Sequence, residues 1–330
     1  MSKSYIDMDG LHFDDAEIAK KLDRMTISAT LMEGMLSCPA KQLFNQMLLD
    51  EIQPPQPDSP LTRGIAFHRT MELYYGLDES KRGKTINTAI LNAAMKKALL
   101  EQPEVKDDTN FQSWLVNAVK RYVLMPDDAI NVGIAEFNDK WYNKKPGLEM
   151  PVSGFIGNAK RRSFGKIDRL TRGDLNDDNI VIIDDYKTGA KAKAFNEKDQ
   201  YADFGYIRQQ IMYALLLEQD DNNDFKVKSG RLIYPVADNQ DKNKTGVVLT
   251  VDVLNEKYRN RTIHEVEKVS RMVNDSVESN TFSCNPSALC SWCPLANICP
   301  RAERRESPKF VEARQKQFKE DELKPVIEKN

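Results

Sequence analysis

"VIIDDYKTG", residues 181–189, is an apolar run that turns abruptly into carboxylates and a lysine. The run has the length and β-branched content of a buried strand, and its end carries Asp184, Asp185 and Lys187. Loops are commonly built from Asp, Lys, Thr and Gly, so an ordinary solvated strand end is one reading. The other is chemical. Asp185 and Lys187 are two residues apart and face the same side of a strand. A carboxylate and an ammonium side by side can hold a divalent metal and support an attacking water.

Working outward, "INVGIAEFNDKWYN" (130–143), "LEMPVSGFIG" (148–157) and "FGKIDRLTRG" (164–173) read as further strands separated by turn residues. A helix is expected through "DFGYIRQQIMYALLLEQ" (203–219), then strands in 229–237 and 245–253 and a helix over 255–279. Upstream, helical spacing runs through 26–49, interrupted at Cys38-Pro39. It resumes over 62–77, 86–101 and 110–123, after the proline-rich loop 51–60. Strands with helices before, between and after them predict an α/β core.

The 330 residues carry a formal charge of −2 and 40% hydrophobic content, enough for one large domain or two modest ones. A nearly neutral nucleic-acid binder must gather its cations locally. Here Lys160, Arg161, Arg162, Lys166, Lys187, Lys191, Lys193 and Lys198 flank the acidic strands. No stretch approaches the ~18 consecutive apolar residues of a membrane span. The acid-rich first twenty residues lack the apolar core of a secretory signal, which predicts a cytoplasmic location. The five cysteines are Cys38, Cys284, Cys290, Cys293 and Cys299. An odd, clustered set without a signal suggests metal rather than a disulfide framework.

Asp168, at the end of "FGKID", stands seventeen residues before Asp185. Two adjacent strands would bring these carboxylates together, and Mg²⁺ or Mn²⁺ would relieve their repulsion. Asp168 with "DYK" (185–187) resembles the PD-(D/E)XK nuclease superfamily, with "KID" in place of "PD". "GIAFHRTMELYYG" (64–76) is similar to the helical motif of its RecB/AddB-like branch, and "RQQIMYALLLE" (208–218) to that branch's Q-x-x-x-Y motif. "CSWCPLANIC" (290–299), with Cys38 in "SCPAKQLF", resembles the thiol arrangement of its iron–sulfur members, among them CRISPR-associated RecB-like exonucleases.

The resemblance implies a restriction-endonuclease-like fold over residues 26–300, preceded by a lead-in (1–25) and followed by a charged tail (301–330). It implies Mg²⁺ or Mn²⁺ held by His68, Asp168, Asp185 and the Tyr186 backbone carbonyl, with Glu136 as an upstream acidic candidate. Lys187 would position the attacking water, and Gln209 and Tyr213 would help hold DNA with Arg161, Arg162 and Lys191. A 4Fe–4S cluster on Cys38, Cys290, Cys293 and Cys299 would clasp the two ends of the domain, leaving Cys284 spare. The spacing suits zinc as well, and a local knuckle of Cys284, Cys290, Cys293 and Cys299 is the alternative ligand set. The implied activity is that of a DNA exonuclease acting on single strands or ends. The sequence has no P-loop, so a helicase or recombination partner is implied. The rival from another class is a DNA-end or protein-binding scaffold that keeps the fold without cutting.

Overall fold

The structure is a computed structural model. It describes residues 3–14, 16–47, 58–82, 86–125, 147–174, 176–177, 179–192, 204–221, 224–238, 246–287, 290 and 293–302. The strand expected over 130–143, with Glu136 in it, lies outside these residues, as do Lys193, Lys198 and the tail from 303 onward. The chain divides into two compact units, each discontinuous in sequence. One comprises Met1–Pro55, Phe155–Ser163 and Ile263–Asn330; the other comprises Gln56–Gly154 and Phe164–Thr262.

The larger unit holds a five-stranded mixed sheet in the order β3 (Leu148–Gly154), β4 (Ser163–Arg172), β5 (Ile180–Tyr186), β6 (Lys226–Tyr234), β7 (Val247–Val251). β4 runs antiparallel to β5, β5 parallel to β6, and β6 antiparallel to β7. The parallel pair requires a crossover, and the helix α7 (Gly205–Glu218) lies within it, packing on β3, β5 and β6. Ile211, Met212, Ala214, Leu216 and Leu217 of α7 are almost fully buried. A second helical layer comprises α4 (Pro60–Tyr75), α5 (Thr88–Leu100) and α6 (Thr109–Val123). Its core includes Phe67, Tyr74, Leu91, Phe111 and Leu115, closed by Tyr186 and Ile233 from the sheet. α4 starts where the sequence supplies the chemistry. Ser59 Oγ accepts the Thr62 N–H at 3.1 Å, and Pro60 opens the first turn.

A buried ion ladder crosses the middle of this sheet. Arg169, Asp184 and Arg231 are register partners on β4, β5 and β6. Asp184 has no exposed side-chain surface and accepts from Arg169 Nε at 2.9 Å and from Arg231 Nε at 2.6 Å. Arg231 Nη2 also donates to Thr171 Oγ1, and Arg169 Nη1 to Tyr122 Oη. The Arg169 guanidinium lies 4.4 Å from the centre of the Tyr75 ring. Asp184 is therefore an internal counter-ion. A buried charge is tolerable only when paired and hydrogen-bonded to this degree.

The smaller unit contains the sheet β1 (Lys3–Ile6), β2 (Gly10–Asp14), β8 (Thr281–Ser283), all antiparallel. Residues 3–14, expected from the sequence as a lead-in, are thus a hairpin zipped onto the strand that precedes the cysteine cluster. Gly10 sits at φ +157, with the Phe282 carbonyl where a side chain would begin. The unit also holds α1 (Ala16–Asp23), α2 (Ala29–Ser37) and α3 (Pro39–Met47), with the break between the last two at Cys38. Arg161 is a correction to the sequence reading, which offered it to DNA. Its side chain is buried, with Nη1 donating to the carbonyls of Leu22, Asp23 and Met25 and Nε to Asn274. These bonds tie down the end of α1 and engage the Nε and Nη1 of Arg161 within the unit. Arg162 is exposed in this unit.

Candidate active site

The Asp-Asp doublet splits because adjacent residues on a strand face opposite sides. Asp184 turns into the arginine ladder, while Asp185, the next residue, turns to a polar group on the other face. Asp185 Oδ2 lies 2.6 Å from Lys187 Nζ. Lys187 also donates to Gln209 Oε1 at 3.0 Å and lies 4.4 Å from the centre of the Tyr206 ring. Gln209 Nε2 in turn donates to Asp185 Oδ1 at 3.3 Å and to Tyr213 Oη at 3.0 Å. Gln209 and Tyr213, one turn apart on α7, thus form a chain that fixes both Asp185 and Lys187.

Asp168 comes from β4, on which exposed Phe164 and Lys166 alternate with buried Gly165 and Ile167. Its Oδ2 accepts the Tyr186 N–H at 2.8 Å and lies 3.4 Å from His68 Nδ1. The other His68 nitrogen, Nε2, donates to the Tyr186 carbonyl at 2.9 Å. That bond places the proton of a neutral ring on Nε2 and leaves Nδ1 aimed at Asp168, the arrangement that suits a metal-ligating histidine. The Tyr186 carbonyl, expected as a ligand, is engaged by His68.

The sequence reading missed Glu149. One donor atom each from His68, Glu149 and Asp168 lies within 4.8 Å of the others. Glu149 stands on β3 at φ +47, a left-handed conformation that carries strain for a residue with a side chain. Lys166 forms an ion pair with it. Its only trace in the sequence is a carboxylate facing outward beside Pro151 and Ser153, with Met150 and Val152 buried between. Glu136, named from the sequence for the upstream acidic position, lies outside the described residues. Lys191 is exposed four residues beyond Lys187.

Burial and charge set the protonation of this group. Burial pushes the Asp185 carboxyl up to about 6; Lys187 opposes the shift, and the charge of Asp168 adds to it. Burial alone would lower the His68 pKa, but the carboxylates of Asp168 and Asp185 outweigh it and raise it to about 9. Lys187 is held protonated, burial again being overcome by Asp185. Two oxygens and an imidazole, with a third carboxylate beside them, form a hard donor set that fits Mg²⁺ or Mn²⁺.

The cysteines all belong to the smaller unit and line one small cavity of about 20 Å³. Backbone N–H groups point at four of the sulfurs. Cys38 receives those of Ala40, Lys41 and Asn285, and Cys290 that of Ser287 at 3.2 Å. Cys293 receives that of Leu295, and Cys299 those of Arg301 and Ala302. Cys284, buried, stands among them with its Sγ 3.6 Å from that of Cys299, and it is also hydrogen-bonded to Cys38. These contacts push Cys38 and Cys299 down to about 6 and raise Cys284, which stays the neutral thiol of the three. Among the described residues no three sulfurs lie within 4.8 Å of one another. Zn–S bonds of about 2.3 Å in a tetrahedron would hold all four within ~4 Å, so the four N–H-bonded thiols are spread more widely than one zinc ion holds them.

Among the described residues no helix is long and apolar enough to cross a membrane. No curated protein matches the chain. The sequence pattern of the PD-(D/E)XK nuclease superfamily matches residues 26–300, which span the mixed sheet, both acidic strands, the histidine helix and the cysteines. A match over this much of the chain shows the family: the chain belongs to the PD-(D/E)XK nuclease superfamily.

Proposed function

We propose that this chain is a Mg²⁺- or Mn²⁺-dependent exonuclease acting on single-stranded DNA or DNA ends in recombination, repair or replication, together with a helicase or recombination partner. The observation that carries the reading is the convergence of His68, Glu149 and Asp168 donors within 4.8 Å, beside the bonded pair Asp185–Lys187. His68, Glu149 and Asp168 would hold the ion, with Asp185 adjoining. An ion there supplies Lewis acidity to the phosphodiester and lowers the pKa of a bound water.

The protein's own residues do the rest. Lys187 carries the positive charge that stabilises the pentavalent phosphorane's developing oxyanions and orients the attacking water. Gln209 holds that ammonium on the site side of β5, and Tyr213 braces Gln209. His68 is locked in one tautomer by the Tyr186 carbonyl, so its Nδ1 is directed at Asp168 without rotameric search.

For the cysteines we favour a 4Fe–4S cluster on Cys38, Cys290, Cys293 and Cys299. Each of these sulfurs receives at least one backbone N–H, and Cys38 and Cys299 are held low as thiolates. Its role is structural, since thiols are the wrong donors for a hydrolytic metal. The scaffold rival is weighed against by the complete Asp168, Asp185 and Lys187 set.

The test is to incubate anaerobically purified protein with end-labelled linear and circular single-stranded DNA and Mg²⁺ or Mn²⁺, beside Asp185→Ala. Loss of the linear strand alone, abolished by the substitution, is the expected result. Cutting of the circle would make the enzyme an endonuclease, and no cutting with either metal would favour the scaffold.

A further inference from the structure

α4 brings more than His68 to the site. Residues 61, 64, 65 and 68 lie on one face of a helix at spacings of three and four. Leu61 is 64% exposed and Ile65 52% exposed, whereas Ala66, Phe67, Met71 and Tyr74 on the same helix are buried. With Pro60 and Gly64, Leu61 and Ile65 line one side of a cavity of about 460 Å³ whose other lining residues are His68, Arg69, Glu72, Glu149 and Lys166. This volume is within the range of roughly 300–1,000 Å³ typical of small-ligand sites. The cavity is divided: Pro60, Leu61, Gly64 and Ile65 bring no charge, while the other side carries the candidate ligands His68 and Glu149, with Lys166 paired to Glu149 and Arg69 paired to Glu72.

We infer that this cavity is a nucleotide subsite, in which one base adjoining the scissile phosphate packs on Leu61 and Ile65 while its phosphate faces Lys166 and the metal ligands. The inference rests on the nuclease reading. An amphiphile with a flat apolar face and an anionic end one sugar away matches the division of the walls, and a nucleotide of the substrate strand is that amphiphile. Leu61 and Ile65 offer no hydrogen-bonding group to a base edge, so the subsite takes any of the four bases. It holds the strand end in place by contact area alone, and Leu61 and Ile65 act as positioning residues.

The test uses the full-length, anaerobically purified protein and a fluorescent twelve-residue oligothymidylate in which a single abasic residue is walked along the strand. For the wild type with Mn²⁺, an abasic residue at one position beside the cut raises KM about tenfold, as expected for losing one base's apolar burial, with kcat little changed. Leu61→Ser/Ile65→Ser raises KM for the intact strand by a similar factor and becomes indifferent to the abasic residue. Ile65→Phe, which enlarges the apolar wall, lowers KM. Both side chains are exposed, so these variants keep their fold, which circular dichroism checks. A wild type insensitive to abasic residues at every position overturns the inference, as does a double variant that keeps the wild-type abasic penalty. Should no strand be cut at all, the nuclease reading is what fails. Fluorescence anisotropy of the same strands then reads the subsite alone, with a roughly tenfold affinity loss in the double variant expected and equal affinity overturning it.

Discussion

At the scale of single residues, Glu149 carries the sharpest expectation. Its strained backbone and its place within 4.8 Å of His68 and Asp168 mark it as a candidate ligand. Glu149→Gln should weaken Mn²⁺ binding by at least about tenfold, read by calorimetry. Equal affinity would remove Glu149 from the site. His68 gives a pH prediction. Its pKa of about 9 in the folded, metal-free protein exceeds the ordinary 6.5, so the stability it contributes is fully present below pH 6.5 and lost as pH rises through 9. Asp185, raised by burial from 3.8 to about 6, likewise stabilises the fold while protonated, and that contribution is lost between about pH 4 and 6. With chelator present, Tm should therefore fall between pH 4 and 9. The gain in Tm on adding Mn²⁺ should grow with pH over the same range, because ligation requires the neutral imidazole. A metal-induced gain that is flat with pH would mean that His68 does not ligate.

At the scale of elements, the site depends on the spacing of β4, β5 and β6, and the Arg169–Asp184–Arg231 ladder sets it. Asp184→Asn strands two buried guanidinium groups and should cost about 3–5 kcal/mol in denaturant unfolding. A loss below 1 kcal/mol would show that the ladder is relaxed by water. β4 and α7 meet at Gly165, where an added Cβ would lie 2.2 Å from the Tyr213 ring. Gly165→Ala should therefore displace Tyr213 and, through it, Gln209 and Lys187. The expected cost is about 1–3 kcal/mol, with kcat falling more than KM rises. Unchanged kcat would separate the Gln209–Tyr213 chain from catalysis.

At the scale of the whole molecule, the cysteine cavity joins Cys38, which follows α2, to the segment after β8. If its four N–H-bonded sulfurs hold iron, Cys38→Ala should lose most of the iron and the brown chromophore. Cys284→Ala should keep both, since the contacts above give its sulfur no backbone donor and its raised pKa keeps it a neutral thiol. Iron analysis and the visible spectrum decide this. Iron loss on Cys284→Ala with retention on Cys38→Ala would instead establish the local four-cysteine knuckle.

The order of strands and helices was legible because each segment states its own period and punctuation. The apolar run 180–183, the capped start at Ser59-Pro60 and the break at Cys38-Pro39 are local facts, and the elements formed where these signals lie. Asp168, Asp185, Lys187 and His68 were legible through motif spacing. Other features depended on which faces meet, which sequence separation does not encode. Nothing local distinguishes Asp184 from Asp185; only the register with Arg169 and Arg231 makes one an internal counter-ion and leaves the other at the site. Arg161 reads as a surface cation until the end of α1 is found against it. Glu149 becomes a ligand candidate only because β3 lies beside β4. The sequence by itself determined the elements and the chemistry available, since these follow from residue type and period. The tertiary structure alone decided which charges are buried and which converge, because burial and distance are properties of packed neighbours.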